Sequence, residues 1–186
     1  MKATGIVRRI DDLGRIVIPK EIRRTMRIAE GTPLEIFTDI DNTITLKKYS
    51  PVKELENIAQ EYADALAETL NCTVCICDND TIVAVHHGSK KEYKDVGITS
   101  AIAKIIWDKK NKIINRSSAP GSMVTISEKE INADEYYSQC FAPILPDGDA
   151  IGCVIAFSKS PGRDFDDSVM CGVRVTAALL AKQMTV

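Results

Sequence analysis

Two short β-branched runs, Gly5–Ile10 and Gly14–Ile18, flank Asp11-Asp12-Leu13-Gly14, where Asp and Gly supply turn chemistry; strand, turn, strand is predicted. Pro19 suits the first position of a helix and Gly31 lies past its end, which predicts a short helix over 19–27. A second pair of strand-like runs, Leu34–Thr38 and Thr43–Lys48, surrounds Asp39-Ile40-Asp41-Asn42. The first fifty residues therefore read ββαββ. So small a unit buries little apolar surface alone, and an intertwined dimer is expected.

From Val52 the period changes. Leu55, Ile58, Tyr62, Leu66 and Leu70 recur at helical spacing and predict one long helix over 52–70, with acidic residues on its other sides. Strands are predicted at Thr73–Cys77 and Thr81–His86, a helix near Ile98–Trp107, and a hairpin from Tyr137–Ile144 and Ala150–Ser158 around Pro146-Asp147-Gly148-Asp149. Asp164 is the expected N-cap of a last helix reaching Met184. The domains expected are 1–50, an α/β domain 71–186, and between them a linking amphipathic helix 51–70 that could belong to the α/β domain. The stripe Leu55, Ile58, Tyr62 and Leu66, together with the last helix, is a candidate for joining two dimers into a tetramer.

Charge sharpens the division. Residues 1–50 carry ten Lys/Arg against seven Asp/Glu, whereas residues 51–186 carry fourteen against nineteen. Six of the nine arginines lie within the first 27 residues, and a basic front on an acidic body points to a polyanion. Lys20, Arg23, Arg24 and Arg27 fall at offsets that place them on one helix face, with Ile22 and Met26 opposite. Arg8, Arg9 and Arg15 on the hairpin add to it. An arginine fork can bind phosphate or guanine bidentately, although the same pattern also describes a merely solvated basic face.

The run Lys2-Ala-Thr-Gly-Ile-Val-Arg-Arg-Ile-Asp-Asp-Leu-Gly-Arg-Ile-Val-Ile-Pro-Lys-Glu-Ile-Arg-Arg-Thr, continuing to Leu34-Glu-Ile-Phe and Leu46-Lys-Lys-Tyr, resembles the AbrB-type swapped-hairpin DNA-binding domain. With the helix and α/β domain behind it, the chain as a whole resembles a family of regulators from endospore-forming bacteria whose second domain is of the GAF type. The resemblance implies an α+β protein: an N-terminal dimeric barrel of interleaved hairpins, then a GAF-like sensor domain with flanking helices. It implies double-stranded DNA as partner, with residues matching Arg8, Arg15, Arg23 and Arg24 facing it; Arg9 and Lys2 are additions from the charge pattern. It also implies regulation of sporulation genes and a cavity for a small effector of unreadable identity. Few Asn or Gln groups accompany the cations, so shape and AT-rich, degenerate sites are expected to supply specificity.

Other chemistries are weaker. Cys72-Thr-Val-Cys75-Ile-Cys77 and His86-His87 invite a metal, but on a strand Cys72 and Cys75 point to opposite faces while Cys75 and Cys77 share one. Buried free thiols are expected, with no metal and no identified cofactor. Neither Pro120-Gly121-Ser122 nor Gly152-Cys153 has the flanks of a phosphate loop or nucleophile elbow, so catalysis is not expected. No apolar run reaches the roughly 18 residues that span a bilayer, and no secretory core follows Met1-Lys2, which makes a cytoplasmic, nucleoid-associated protein the expectation. Two alternatives stay open: an antitoxin-like protein that binds a toxin, and a sensor with no DNA role.

Overall fold

The computed structural model describes residues 4–26, 28–86 and 90–184. Lys2, Arg27 and His87, all singled out in the sequence, lie outside the described residues. The chain divides into two units, Met1–Tyr49 and Ser50–Val186, so the boundary falls one residue before the expected one. Ser50 accepts a hydrogen bond from the Lys53 N–H as N-cap of the next helix, which ties it to the second unit.

In the first unit, α1 spans Lys20–Thr25 and an antiparallel pair, β1 (Leu34–Thr38) and β2 (Ile44–Lys48), comes after it with Ile36 opposite Leu46. Pro19 sits at the N-cap of α1 instead of inside its first turn, and the helix stops at Thr25. The two strands expected at 5–10 and 14–18 do not form a ladder here. Their turn does: Asp11 N–H donates to the Arg15 carbonyl at 3.0 Å and Gly14 N–H to Asp11 at 3.0 Å. The reason lies in packing. Pro19 is the one buried residue among those described in this unit, while Val7 is 84% and Ile40 96% exposed and Ile10, Leu13, Val17, Ile36 and Ile44 also face solvent. Edges and apolar faces of this kind require a second layer that one copy does not provide. A fragment of residues 1–50 is therefore expected to sediment as a dimer at micromolar concentration; a compact monomer that melts cooperatively would overturn this.

The second unit is a five-stranded antiparallel sheet, ordered β4-β3-β7-β6-β5, covered on both faces. Its strands are β3 (Thr73–Asp78), β4 (Ile82–Val85), β5 (Lys112–Asn115), β6 (Ser138–Ile144) and β7 (Gly152–Ser158). Helices α2 (Pro51–Glu54), α3 (Glu56–Leu70) and α6 (Asp167–Met184) accompany α4 (Lys90–Tyr93) and α5 (Ser100–Trp107). Period-two alternation sorts the core. Val74, Ile76, Cys140, Ala142, Val154 and Ala156 join α3 and α6 on one face; Cys75, Cys77, Phe141, Cys153, Ile155 and Phe157 join Ile102, Ile106 and Tyr136 on the other.

Several local expectations change. The single helix 52–70 is two, since Ser50 Oγ also donates to Asp78 at 2.7 Å and anchors the first turn to the end of β3, leaving Leu55 to take up the change of direction. Asp164 does not cap α6; it accepts from Ser117 Oγ at 2.6 Å. Asp166 does so instead, accepting from the N–H groups of Ser168 and Val169 at 3.0 and 3.3 Å. Leu66 is only 8% exposed and packs in the α3–α6 core, where a Cβ on Gly172 would stand 3.0 Å from its Cδ1. It helps to hold its own domain together. Ile58 and Tyr62 also pack, half-buried, against this core.

Strand β7 pairs Gly152 with Asp78 of β3; a Cβ on Gly152 would lie 2.1 Å from the Cys77 carbonyl oxygen. Backbone cannot yield as a side-chain tip can. Gly152→Ala is expected to cost about 3 kcal/mol or more, read as a lower urea midpoint with unchanged slope. A wild-type midpoint would show that the two strands separate freely. Among the described residues no helix is long and apolar enough to cross a membrane.

Candidate nucleic-acid interface

The basic residues are carried by two elements of the first unit. Helix α1 starts where Pro19 fixes φ, with Glu21 in its first turn and Arg23 and Arg24 in its last, the arrangement the helix dipole favours. Lys20, Arg23 and Arg24 are exposed, and Ile22 on the other side is half-buried. Met26, expected beside Ile22 on the docking side, is mostly exposed in the single chain. Arg8 and Arg9 are exposed on the segment before the turn.

Arg15 is different. Its Nε donates to Asp11 Oδ2 at 2.8 Å, and its backbone N–H donates to Asp11 Oδ1 at 2.7 Å. These bonds, the backbone one foremost, hold the Asp11 carboxyl below its ordinary range. A depressed carboxyl supports the turn above the usual carboxylate pKa and loses that support as pH falls through its folded value. Asp11 thus orients Arg15 and offsets part of its charge, a pairing that four-residue spacing around a turn hinted at and the charge count concealed. What the arrangement can do chemically is present guanidinium forks to phosphate oxygens from an exposed surface.

The second unit carries no such surface in its core. Tyr93 Oη and Tyr136 Oη lie 2.9 Å apart, Tyr136 donates to Glu130, and Phe157 packs edge-on against Tyr136. Burial raises both phenol pKa values. These rings belong to the core on the α4–α5 face of the sheet. Cys75, Cys77 and Cys153 lie on this same face and Cys72 and Cys140 on the other; all are free, and burial pushes Cys72 up to about 11 and Cys140 up to about 12. High thiol pKa values leave little reactive thiolate at neutral pH. His86 lies at the end of β4, its Nδ1 3.4 Å from Asp64 Oδ1.

The second unit has the GAF fold. It aligns with the blue-light absorbing form of the PixJ GAF domain from Thermosynechococcus elongatus at a TM-score of 0.57, covering 74% of this chain and 88% of that one, with 15% identity. The chain thus carries a basic unit of one helix and an antiparallel strand pair ahead of a GAF-fold domain. Residues 54–185 match the family described as stage V sporulation protein T C-terminal, transcription factor, and residues 7–54 match antidote-toxin recognition MazE, bacterial antitoxin. The chain is 45% identical to stage V sporulation protein T of Bacillus subtilis (strain 168) over 99% of both proteins. It belongs to the stage V sporulation protein T family. A stretch of 51 residues is 63% identical to the transition state regulatory protein AbrB of the same organism, covering 27% of this chain and 52% of that protein.

Proposed function

We propose that this protein regulates sporulation genes by gripping double-stranded DNA with a dimer of its first unit, while the GAF-fold domain transmits a signal to that grip. The observation that carries the reading is the first unit itself: exposed Arg8, Arg23 and Arg24, with Arg15 at the turn, on a unit whose apolar side chains await a second copy. Arg9 adds charge beside Arg8. Two copies double every phosphate contact and set a fixed spacing between them, so DNA shape and AT-rich, deformable sequence would select the site. Such a protein works on the nucleoid in the cytoplasm. Pairing of dimers into a tetramer is assigned to the outer side of α6, where Val175 and Leu179 are exposed, and not to Leu66. A small effector of the GAF-fold domain would have to displace the tyrosine cluster or bind elsewhere.

The antitoxin match favours a second reading, in which residues 7–54 serve a toxin-binding protein. A regulator similar over 99% of both chains favours the first. Crosslinking and immunoprecipitation from sporulating cells decides between them. Discrete promoter-proximal peaks are expected; absence of peaks together with stoichiometric co-purification of a small protein would establish the antitoxin reading.

A further inference from the structure

Strand β5 forms one edge of the five-stranded sheet, and the Arg116 N–H donates to the Tyr137 carbonyl at 2.8 Å immediately beyond it. That bond fixes which residues face outward. In an antiparallel ladder, bonded and non-bonded positions alternate, so residues 112, 114 and 116 turn their backbone groups to β6, while Asn111 and Ile113 turn theirs away. Beside this edge, α5 and the turn after it form a groove of about 460 Å³. Its floor is apolar, with Ala101, Ile105 and Val124, and its rim carries Lys104, Lys110 and Lys112 against the single acid Asp108. Among the described residues, the lysine ion pairs of this domain engage Lys94, Lys109 and Lys159 instead. Trp107, three residues from Lys104 on α5, is 83% exposed.

We infer that this edge is a docking site for an extended, acidic segment of a partner protein, added to the sheet beside β5. Backbone pairing at Asn111 and Ile113 would hold the strand, and its carboxylates would meet the three lysines, as in recognition by strand addition. Lysines on an edge repel a second copy of the same edge, and an acidic strand is the partner they do not repel. Charge also separates a peptide from nucleic acid. Residues 51–186 carry fourteen basic against nineteen acidic groups, so a long polyanion is repelled by the domain, whereas a short segment meets only the local cations; a nucleic acid, moreover, cannot complete a β-ladder.

Trp107 is the chain's only tryptophan, which makes its fluorescence a reporter of this one site. The probe is a fluorescein-labelled peptide of alternating Glu and Val, about seven residues long, titrated into the full-length protein and followed by anisotropy, with an unlabelled copy for Trp emission. Binding is expected to shift the emission and weaken with salt, and Lys104→Ala with Lys112→Ala to weaken it roughly tenfold. Ile113→Pro, which removes an outward N–H and no bond to β6, should weaken binding at least as much. A probe N-methylated at alternate residues gives the same information without relying on a variant's folding, and it should not bind. The inference is overturned if the Glu/Val peptide leaves both signals unchanged at millimolar concentration, or if a Lys/Val peptide binds equally well. It is likewise overturned if an oligo-dT strand shifts the emission as strongly and N-methylation has no effect, for the surface is then a plain anion patch.

Discussion

Alanine at Arg23 or at Arg24 is expected to lower the affinity for duplex DNA on the order of a hundredfold at low salt, because symmetry removes two charge-assisted contacts at once. The slope of log K against log salt should fall by about 0.9 per lost phosphate contact, hence by about 1.8 in a dimer. Folding should survive. Both residues are exposed, and such substitutions usually move stability by less than about 0.5 kcal/mol, with a further few tenths from the dipole of α1. Arg15→Ala should lose less affinity than either, since Asp11 already offsets part of its charge at 2.8 Å. Lys129→Ala, on the exposed surface of the second unit, should change neither affinity nor slope. Fluorescence anisotropy between about 50 and 200 mM salt reads all four. Folded Arg23 and Arg24 variants that keep wild-type affinity and slope would reduce the basic face to a solvated surface.

How far the fold is legible in the sequence depends on which forces are local. The β6–β7 hairpin was readable because two apolar runs flank Pro146-Asp147-Gly148, and the facing of Cys75 with Cys77 comes from the two-residue period alone. Helix α5 likewise announced itself by apolar spacing. Elements whose stability comes from elsewhere were not readable in the same way. The runs at 5–10 and 14–18 have strand composition and no ladder within one chain, since their pairing partner is a second copy or nothing. Strand β5 leaves no local signal because its four residues, Lys112 to Asn115, gain their order from β6 across more than twenty residues of chain. The capping acid of α6 is Asp166 and not the expected Asp164, because either carboxylate could cap and only the course of the preceding loop selects one. Of the interface, the arginines were evident from charge and spacing, whereas the hold of Asp11 on Arg15 depends on the closed turn.

Amphipathicity also hides a distinction that decides how the protein assembles. Leu66 belongs to a clear apolar stripe, and such a stripe looks the same whether it faces its own core or another molecule. Here it faces the core, against Gly172 and beside Leu70. Leu66→Glu is therefore expected to unfold the second unit, not to release a folded dimer. Loss of the leucine contacts costs about 2–5 kcal/mol as in Leu→Ala, and an unpaired carboxylate in that core adds several more, against a whole-domain stability of about 5–15 kcal/mol. Leu66→Met, which keeps the volume, should cost less than about 1.5 kcal/mol. Val175→Glu and Leu179→Glu supply the opposite case: both positions are exposed, at 53% and 44%, so these variants should keep the fold and shift the proposed tetramer toward dimer. Near-ultraviolet circular dichroism reports the fold and light scattering the mass. A Leu66→Glu protein that stays folded and runs as a dimer would return the α3 stripe to the interface. A folded Leu179→Glu protein of unchanged tetrameric mass would remove α6 from it.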